Sequence, residues 1–411
     1  MVLLKGCDIM LILTLKSMLL SDAEQLQKED RTVPSIDNIT IISPNQTEHN
    51  QTIVPSKLAF RRPPTSFDVQ TSDGYLLKIF RISSEFINGD TEYCPVLLVH
   101  GMYQSSDRFL KQKQDQNLAY KLQDLGYDVW LFNARGNKYS RRHVNLDPEK
   151  NASIFSNYSF EEIGYFDLAA TVDFILPTTG FKKLHYISYG LGGTFFLVLN
   201  SLLPSYNVKF DRAFLMAPIA YSGRMPNTAL KKQLLLHEKL YTDLKKAEVY
   251  ELFPYYDDED NVQFTSSMCL GLKKYEIICN KMQIHKIMDL NATNNRKEAT
   301  RAGSIKTLIH FAQNVEKKVF RRFDYVDNKL IYGYRGHPPE YSLQAVTVRT
   351  VIIFAPTDEM IDEDDIYELA SNMTNAKLRK VERPEFKHDD FIAGEEVMHD
   401  VYNSIIEDLP E

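Results

Sequence analysis

Short apolar runs rich in β-branched and aromatic residues recur at Tyr75 to Ile82, Pro95 to His100, Asp128 to Asn133, Lys183 to Ser188, Arg212 to Ala217 and Thr347 to Ala355. Runs of this length and composition read as strands buried on both faces. Between most of them lie longer segments with apolar residues at helical spacing, such as Arg108 to Leu125 and Phe160 to Leu176. This alternation predicts an α/β fold, a mostly parallel central sheet covered by helices on both faces, with ligands gathering beyond the C-terminal ends of the strands. The rhythm lapses from about Ile219 to Leu330, where the chain turns helical and Lys-rich (KKQLLLHEKLYTDLKK) with no strong strand run. A rhythm that breaks and resumes marks an insertion, and one placed after a strand end would lie over the ligand face. The expected organisation is an α/β core at 59–218 and 331–411 with a helical cap at 219–330.

Composition narrows the class. At 411 residues, 44% apolar and 25% charged, the chain has ample material for a buried core, which excludes disorder throughout. A net charge of -7, from 48 basic and 55 acidic residues, supplies no basic field for a phosphate backbone, so nucleic-acid binding is set aside. Four cysteines are too few to build the fold from disulfides. No C-x-x-C pair or H-x-x-x-H cluster occurs, and neither a metal nor a cofactor is expected.

The N-terminal apolar stretch Ile9 to Leu15 is too short to span a bilayer. It fits the h-region of a secretory signal over residues 1–23, with small residues near Ser21 to Ala23 as the cleavage point, although Asp8 and Lys16 make it an imperfect one. The acceptor pattern N-x-[ST] occurs at Asn38, Asn45, Asn50, Asn151, Asn157, Asn291 and Asn372. About three matches would arise by chance, so this number favours a secreted or lysosomal glycoprotein. Residues 24–58, polar and carrying three of these sites, read as a solvated leader. Cys269 and Cys279, ten positions apart, are close enough to close a disulfide loop in an oxidising compartment, while Cys94 reads as a buried free thiol.

Candidate chemistry starts at Lys183 to Gly193, KLHYISYGLGG, a strand followed at once by closely spaced glycines and the apolar helix TFFLVLNSLL. In α/β-hydrolases such a turn carries G-x-S-x-G, with a serine nucleophile held at a strained strand-to-helix corner. Here the frame reads Ser188, Tyr189, Gly190, Leu191, Gly192, and the nucleophile position is glycine. Glycine tolerates the corner conformation, so the turn survives while the hydroxyl is lost. A glycine-rich turn with no catalytic role reads the same way. Asp358 follows the strand TVIIFA, where an acid would orient a histidine, and His388 lies thirty residues on in PEFKHDDFIAG. Five further acidic residues between Glu359 and Asp365 leave open a solvated acidic stretch. The order corner, acid, histidine is that of α/β-hydrolases. His100 and Gly101 stand directly after a buried strand, where a backbone N–H can stabilise an oxyanion.

Together these segments resemble the acid lipases, which include gastric and lysosomal lipases and insect relatives. The resemblance covers about Pro64 to Asp408. It is carried by TSDGYLLKIFRI, LLVHGM, GYDVWLFNARGNKYSRRH at Gly126 to His143, FSNYSFEEIGYFDLAATVDFIL, KLHYISYGLGG, RAGSIKTLIHFAQ from Arg301, and HDDF at His388. It implies an α/β-hydrolase core with a helical cap and a family activity on triacylglycerols and sterol esters. Carried over by position, the family's acid falls on Asp358, its base on His388, its oxyanion N–H groups on Met102 and Leu191, and its nucleophile on Gly190. Family members usually read GHSQG at the corner, so this chain differs at four of five positions. Ser188, two residues away, would need a rebuilt corner to substitute.

Three readings follow. One is a secreted lipid-binding protein of lipase fold without effective hydrolysis, its partner a neutral lipid or fatty acyl ester. Another is a working lipase or carboxylic ester hydrolase, and the third is a non-enzymatic partner or storage protein.

Overall fold

The structure, a computed structural model, describes residues 64–82, 93–110, 116–252, 303–333 and 336–410. The signal and leader expected at 1–58, the acceptors Asn38, Asn45, Asn50 and Asn291, and the cysteines Cys269 and Cys279 lie outside the described residues.

Eight strands form one sheet in the order β1-β2-β4-β3-β5-β6-β9-β10. They are β1 Thr65–Gln70, β2 Leu76–Ile82, β3 Val96–Val99, β4 Val129–Leu131, β5 Leu184–Tyr189, β6 Phe210–Met216, β9 Arg349–Phe354 and β10 Ala376–Lys380. The short β7 Glu251–Leu252 and β8 Gly303–Ser304 pair with each other, outside that sheet. β1 with β2 and β2 with β4 run antiparallel, and every other neighbouring pair is parallel. All residues of β3, β4 and β5 are buried, as expected of strands covered on both faces.

The six strands anticipated from periodicity all form, with ends within two residues of the expected ones. Besides the short β7–β8 pair, two strands were not anticipated, and both are edges of the main sheet. β10, AKLRK, is partly or fully exposed along its length, and its cationic side chains keep the open edge from pairing with another chain. β1 buries only Val69 fully. Half-solvated edges carry too few apolar residues to announce themselves in a pattern.

The main helices used below are α1 Leu118–Asp124, α2 Ala169–Thr179, α3 Leu191–Leu202, α4 Thr228–Leu234, α5 His237–Lys246, α6 Ile305–Lys317 and α7 Glu363–Ser371. The helical stretch anticipated from Phe160 begins with a capping box between Ser159 and Glu162 and widens to a π-helix over Ile163–Leu168. It then continues as α2 to the left-handed Gly180 at φ 76°. The π segment puts Asp167 against Arg135 of the loop after β4, with Nε to Oδ1 at 2.8 Å and the Arg135 N–H to Oδ2 at 2.9 Å. Nη1 of the same guanidinium reaches Asp73 Oδ2 at 2.6 Å, and its carbon stands 3.9 Å over the Tyr75 ring. A fully buried cation held by two carboxylates fixes the β4 loop, because removing either partner strands a charge in the core.

Between β6 and β9 the described chain adds no strand to the main sheet; it carries α4, α5 and α6. α6 is buried from Ile305 to Val315 and docks on the core through His310. The His310 ring stacks on Phe160 at 3.8 Å, and its Nε2–H donates to the Arg321 carbonyl at 2.8 Å.

Candidate active site

The chain leaves β3 for β4 on one side, while β5 lies on the other, so the sheet order reverses between β3 and β5. Loops after such neighbouring strands diverge and open a crevice at their C-terminal ends. Val99 pairs with Ser188, and this register brings the loop after β3, beginning at His100, beside the corner at Gly190.

That corner has φ 55° and ψ -120°, a left-handed turn that ends β5 and starts α3 within one residue. The Gly190 N–H donates to the Met216 carbonyl at 2.9 Å, and its own carbonyl accepts from the Gly193 N–H at 3.0 Å. The following glycines answer to close approach. A Cβ on Gly192 would meet the Val99 and His100 carbonyls at 2.7 and 2.9 Å, and one on Gly193 would meet Pro218 at 2.6 Å. At Gly190 there is room instead: a Cβ there would stand 3.5 Å from His388 Nε2 and 3.9 Å from the Gly101 Cα. Ser188 is fully buried in β5 with its Cβ toward Gly192, away from that space.

Asp358 and His388, thirty positions apart, meet here. Asp358 Oδ1 accepts from the Met360 and Ile361 N–H groups at 2.7 and 3.1 Å, which turns Oδ2 to His388 Nδ1 at 2.8 Å. Burial pulls the imidazole toward neutrality, but the Asp358 carboxylate, with Asp389 and Glu359 nearby, outweighs it and holds the His388 pKa above its ordinary value. The rest of the acidic run supports the local structure, with Asp362 capping α7 and the buried Asp365 paired with Arg224 at 2.6 Å.

His100 has a role that its motif did not disclose. Its Nε2 accepts from the Ala134 N–H at 3.2 Å, which places the proton on Nδ1, and Nδ1 donates to the Gly101 carbonyl at 2.8 Å. Because the peptide is trans, a Gly101 carbonyl held on one side turns the Met102 N–H to the other. Burial pushes the His100 pKa down to about 4, so this neutral tautomer persists at ordinary pH. The Leu191 N–H lies in the first turn of α3, where helices leave donors free and the dipole favours negative charge.

Met102 and Leu191 both line a small, partly open pocket, together with Tyr103, Tyr158, Ile163 and Phe195. Two hydroxyls on its wall, Tyr158 Oη and Thr307 Oγ1, are buried without a hydrogen-bond partner among the described residues.

A brace behind His388 escaped the sequence. Tyr189 donates its hydroxyl to Asp389 Oδ1 at 2.9 Å, Arg108 reaches the same oxygen at 3.2 Å, and the Tyr189 ring lies 5.0 Å from that of His388. Tyr189, next to Gly190, is thus packed against His388. No local signal could show this, since the partners stand about two hundred positions or more apart.

Of the other expected positions, Asn151, Asn157 and Asn372 are half-buried. Cys94 is a free thiol but half-buried rather than buried, because it precedes β3 at the rim of the sheet. Among the described residues, no group of three or more His, Cys, Asp or Glu is placed to hold a metal ion, and no helix is long and apolar enough to cross a membrane.

Known proteins share this arrangement of sequence. A family model described as "alpha/beta hydrolase fold" matches residues 95–395, and one described as "Partial alpha/beta-hydrolase lipase region" matches residues 62–113. Lipase 1 of Drosophila melanogaster is 32% identical over 354 residues, covering 83% of this chain and 75% of that one. Lipase 3 of the same fly is 30% identical, with 84% and 90% covered. Gastric triacylglycerol lipase of Rattus norvegicus is 28% identical, with 90% and 94% covered. The chain belongs to the acid lipase family of α/β-hydrolases.

Proposed function

We propose that this protein binds neutral lipids or their acyl chains in a lipase pocket and has lost effective ester hydrolysis. The observation that carries this reading is Gly190: the Asp358–His388 pair is assembled and aimed at a corner that has no hydroxyl to activate. Asp358 as acid, His388 as base, and the Met102 and Leu191 N–H groups as oxyanion donors are the roles we assign. Loss of a triad nucleophile typically lowers turnover about a millionfold, leaving roughly 10³ to 10⁴ over water from the remaining machinery. The described helices of the 219–330 segment, α4, α5 and α6, act in this reading as a cap over the pocket. The seven acceptor sequons and the N-terminal apolar stretch support a secreted or lysosomal glycoprotein.

The assembled pair also favours a second reading, slow hydrolysis by a water lodged where the serine hydroxyl would be and deprotonated by His388. The first reading is tested by assaying the native protein on short-chain and long-chain esters and treating it with a fluorophosphonate probe. Negligible turnover, no labelling and saturable uptake of a fluorescent acyl lipid are expected. Turnover near that of ordinary lipases, abolished by His388→Ala, would sink the proposal.

A further inference from the structure

We propose that the Gly190 corner is a receptor for the carboxylate of a free fatty acid, in preference to an intact ester. This rests on the lipid-pocket reading above and assigns the part of the ligand that the corner takes. In a serine hydrolase the tetrahedral carbon carries two oxygens in this place, the oxyanion facing the backbone donors and the serine oxygen facing the histidine. A carboxylate presents two oxygens on one carbon in a similar disposition. Without a side chain on Gly190, the second oxygen has room beside His388 Nε2, which lies 3.5 Å from the vacant Cβ position. Among the described residues, no other heavy atom than the Gly101 Cα comes within 4 Å of that position, its chain neighbours aside. The first oxygen falls to the N–H groups of Met102 and Leu191, the latter at the positive end of a twelve-residue helix. The acyl chain then follows the apolar wall formed by Tyr103, Ile163 and Phe195.

An ester fits less well. Its alkylated oxygen is bulkier, carries no charge and gains little from a cationic imidazole. Around His388 stand Asp358 on Nδ1, Glu359 on its backbone N–H, Asp389 tied to Arg108, and the Tyr189 ring. These carboxylates keep the imidazole protonated to higher pH than an isolated histidine. An aliphatic carboxyl ionises above about pH 4 to 5, so the opposite charges coexist from there up to the raised His388 pKa.

The experiment titrates the full-length native protein with octanoate and with methyl octanoate at about pH 6 and about pH 9, and repeats this with His388→Gln and Gly190→Ala. Thermal melting reports whether each variant is folded. Octanoate is expected to bind about tenfold or more tightly than the ester at the lower pH, the preference vanishing at the higher pH and in both variants. Equal affinities for acid and ester at the lower pH overturn the carboxylate receptor and leave the lipid pocket standing. A preference that survives in folded His388→Gln also overturns it, placing the carboxylate elsewhere. Binding of neither ligand removes the lipid-pocket reading itself.

Discussion

His388 Nε2 lies 3.5 Å from the point where a Cβ on Gly190 would be, so the imidazole and the glycine corner keep the spacing that a serine hydroxyl would bridge. Among the described residues, no other side chain fills the space. Gly190→Ser should therefore create measurable hydrolysis of a short p-nitrophenyl ester, about 10³-fold or more above the native protein. A serine at φ 55° is strained by about 1 to 3 kcal/mol, so the variant should also melt a few degrees lower. A stable variant with no activity would show that the pocket or the oxyanion donors are not competent.

In that Gly190→Ser background, His100→Ala should lower kcat with little change in KM. The substitution releases the Gly101 carbonyl and leaves the Ala134 N–H without its acceptor, so the Met102 N–H loses its aim. Loss of one oxyanion donor costs about 10² to 10³ in turnover. Steady-state kinetics at fixed pH checks it, and an unchanged kcat would remove His100 from the positioning role.

Gly192→Ala should destabilise the protein by roughly 2 kcal/mol or more, read from denaturant unfolding. Its Cβ would press on the backbone carbonyls of Val99 and His100 at 2.7 and 2.9 Å, and backbone cannot swing aside as a side chain can. Gly190→Ala meets nothing so close and should cost only its backbone strain.

Stability should fall as pH drops from about 6.5 to about 4. Burial pushes the His100 pKa down to about 4 and that of His310 down to about 3, below the ordinary imidazole value. At these two histidines the unfolded chain binds more protons than the folded one in this window, so they favour unfolding in acid, while the buried Asp167, its pKa pushed up to about 6, works in the opposite direction. His100 alone contributes about 3 kcal/mol that is present above pH 6.5 and lost toward pH 4. Glu162 does not share the window: burial works against its charge, but Lys306 and the Ser159 N–H hold its pKa at about 2. Thermal melting across pH 3 to 8 checks this, and His100→Gln should flatten part of the acid limb.

Much of the fold was legible in the chain because periodicity records burial. Leu97, Trp130, Ile187, Leu215 and Ile352 lie in strands whose neighbours are also apolar, which announced a sheet covered on both faces. The acidic run after β9 could also read as solvent-facing, and it is mixed: Asp358 turns inward, Asp362 caps a helix, Asp365 is buried and Asp364 is exposed. β1 and β10 were missed because an edge strand needs backbone partners more than apolar side chains.

Residue identity and local spacing were enough to set the class of fold and to place Gly190, Asp358 and His388 in that chain order. Three relationships waited on the folded chain: Oδ2 of Asp358 meets Nδ1 of His388, His100 holds one proton state and with it one peptide, and Tyr189 and Arg108 converge on Asp389. Those contacts join residues brought together by the order of strands in the sheet. Local pattern encodes which faces are buried, whereas strand order decides which distant side chains share a face.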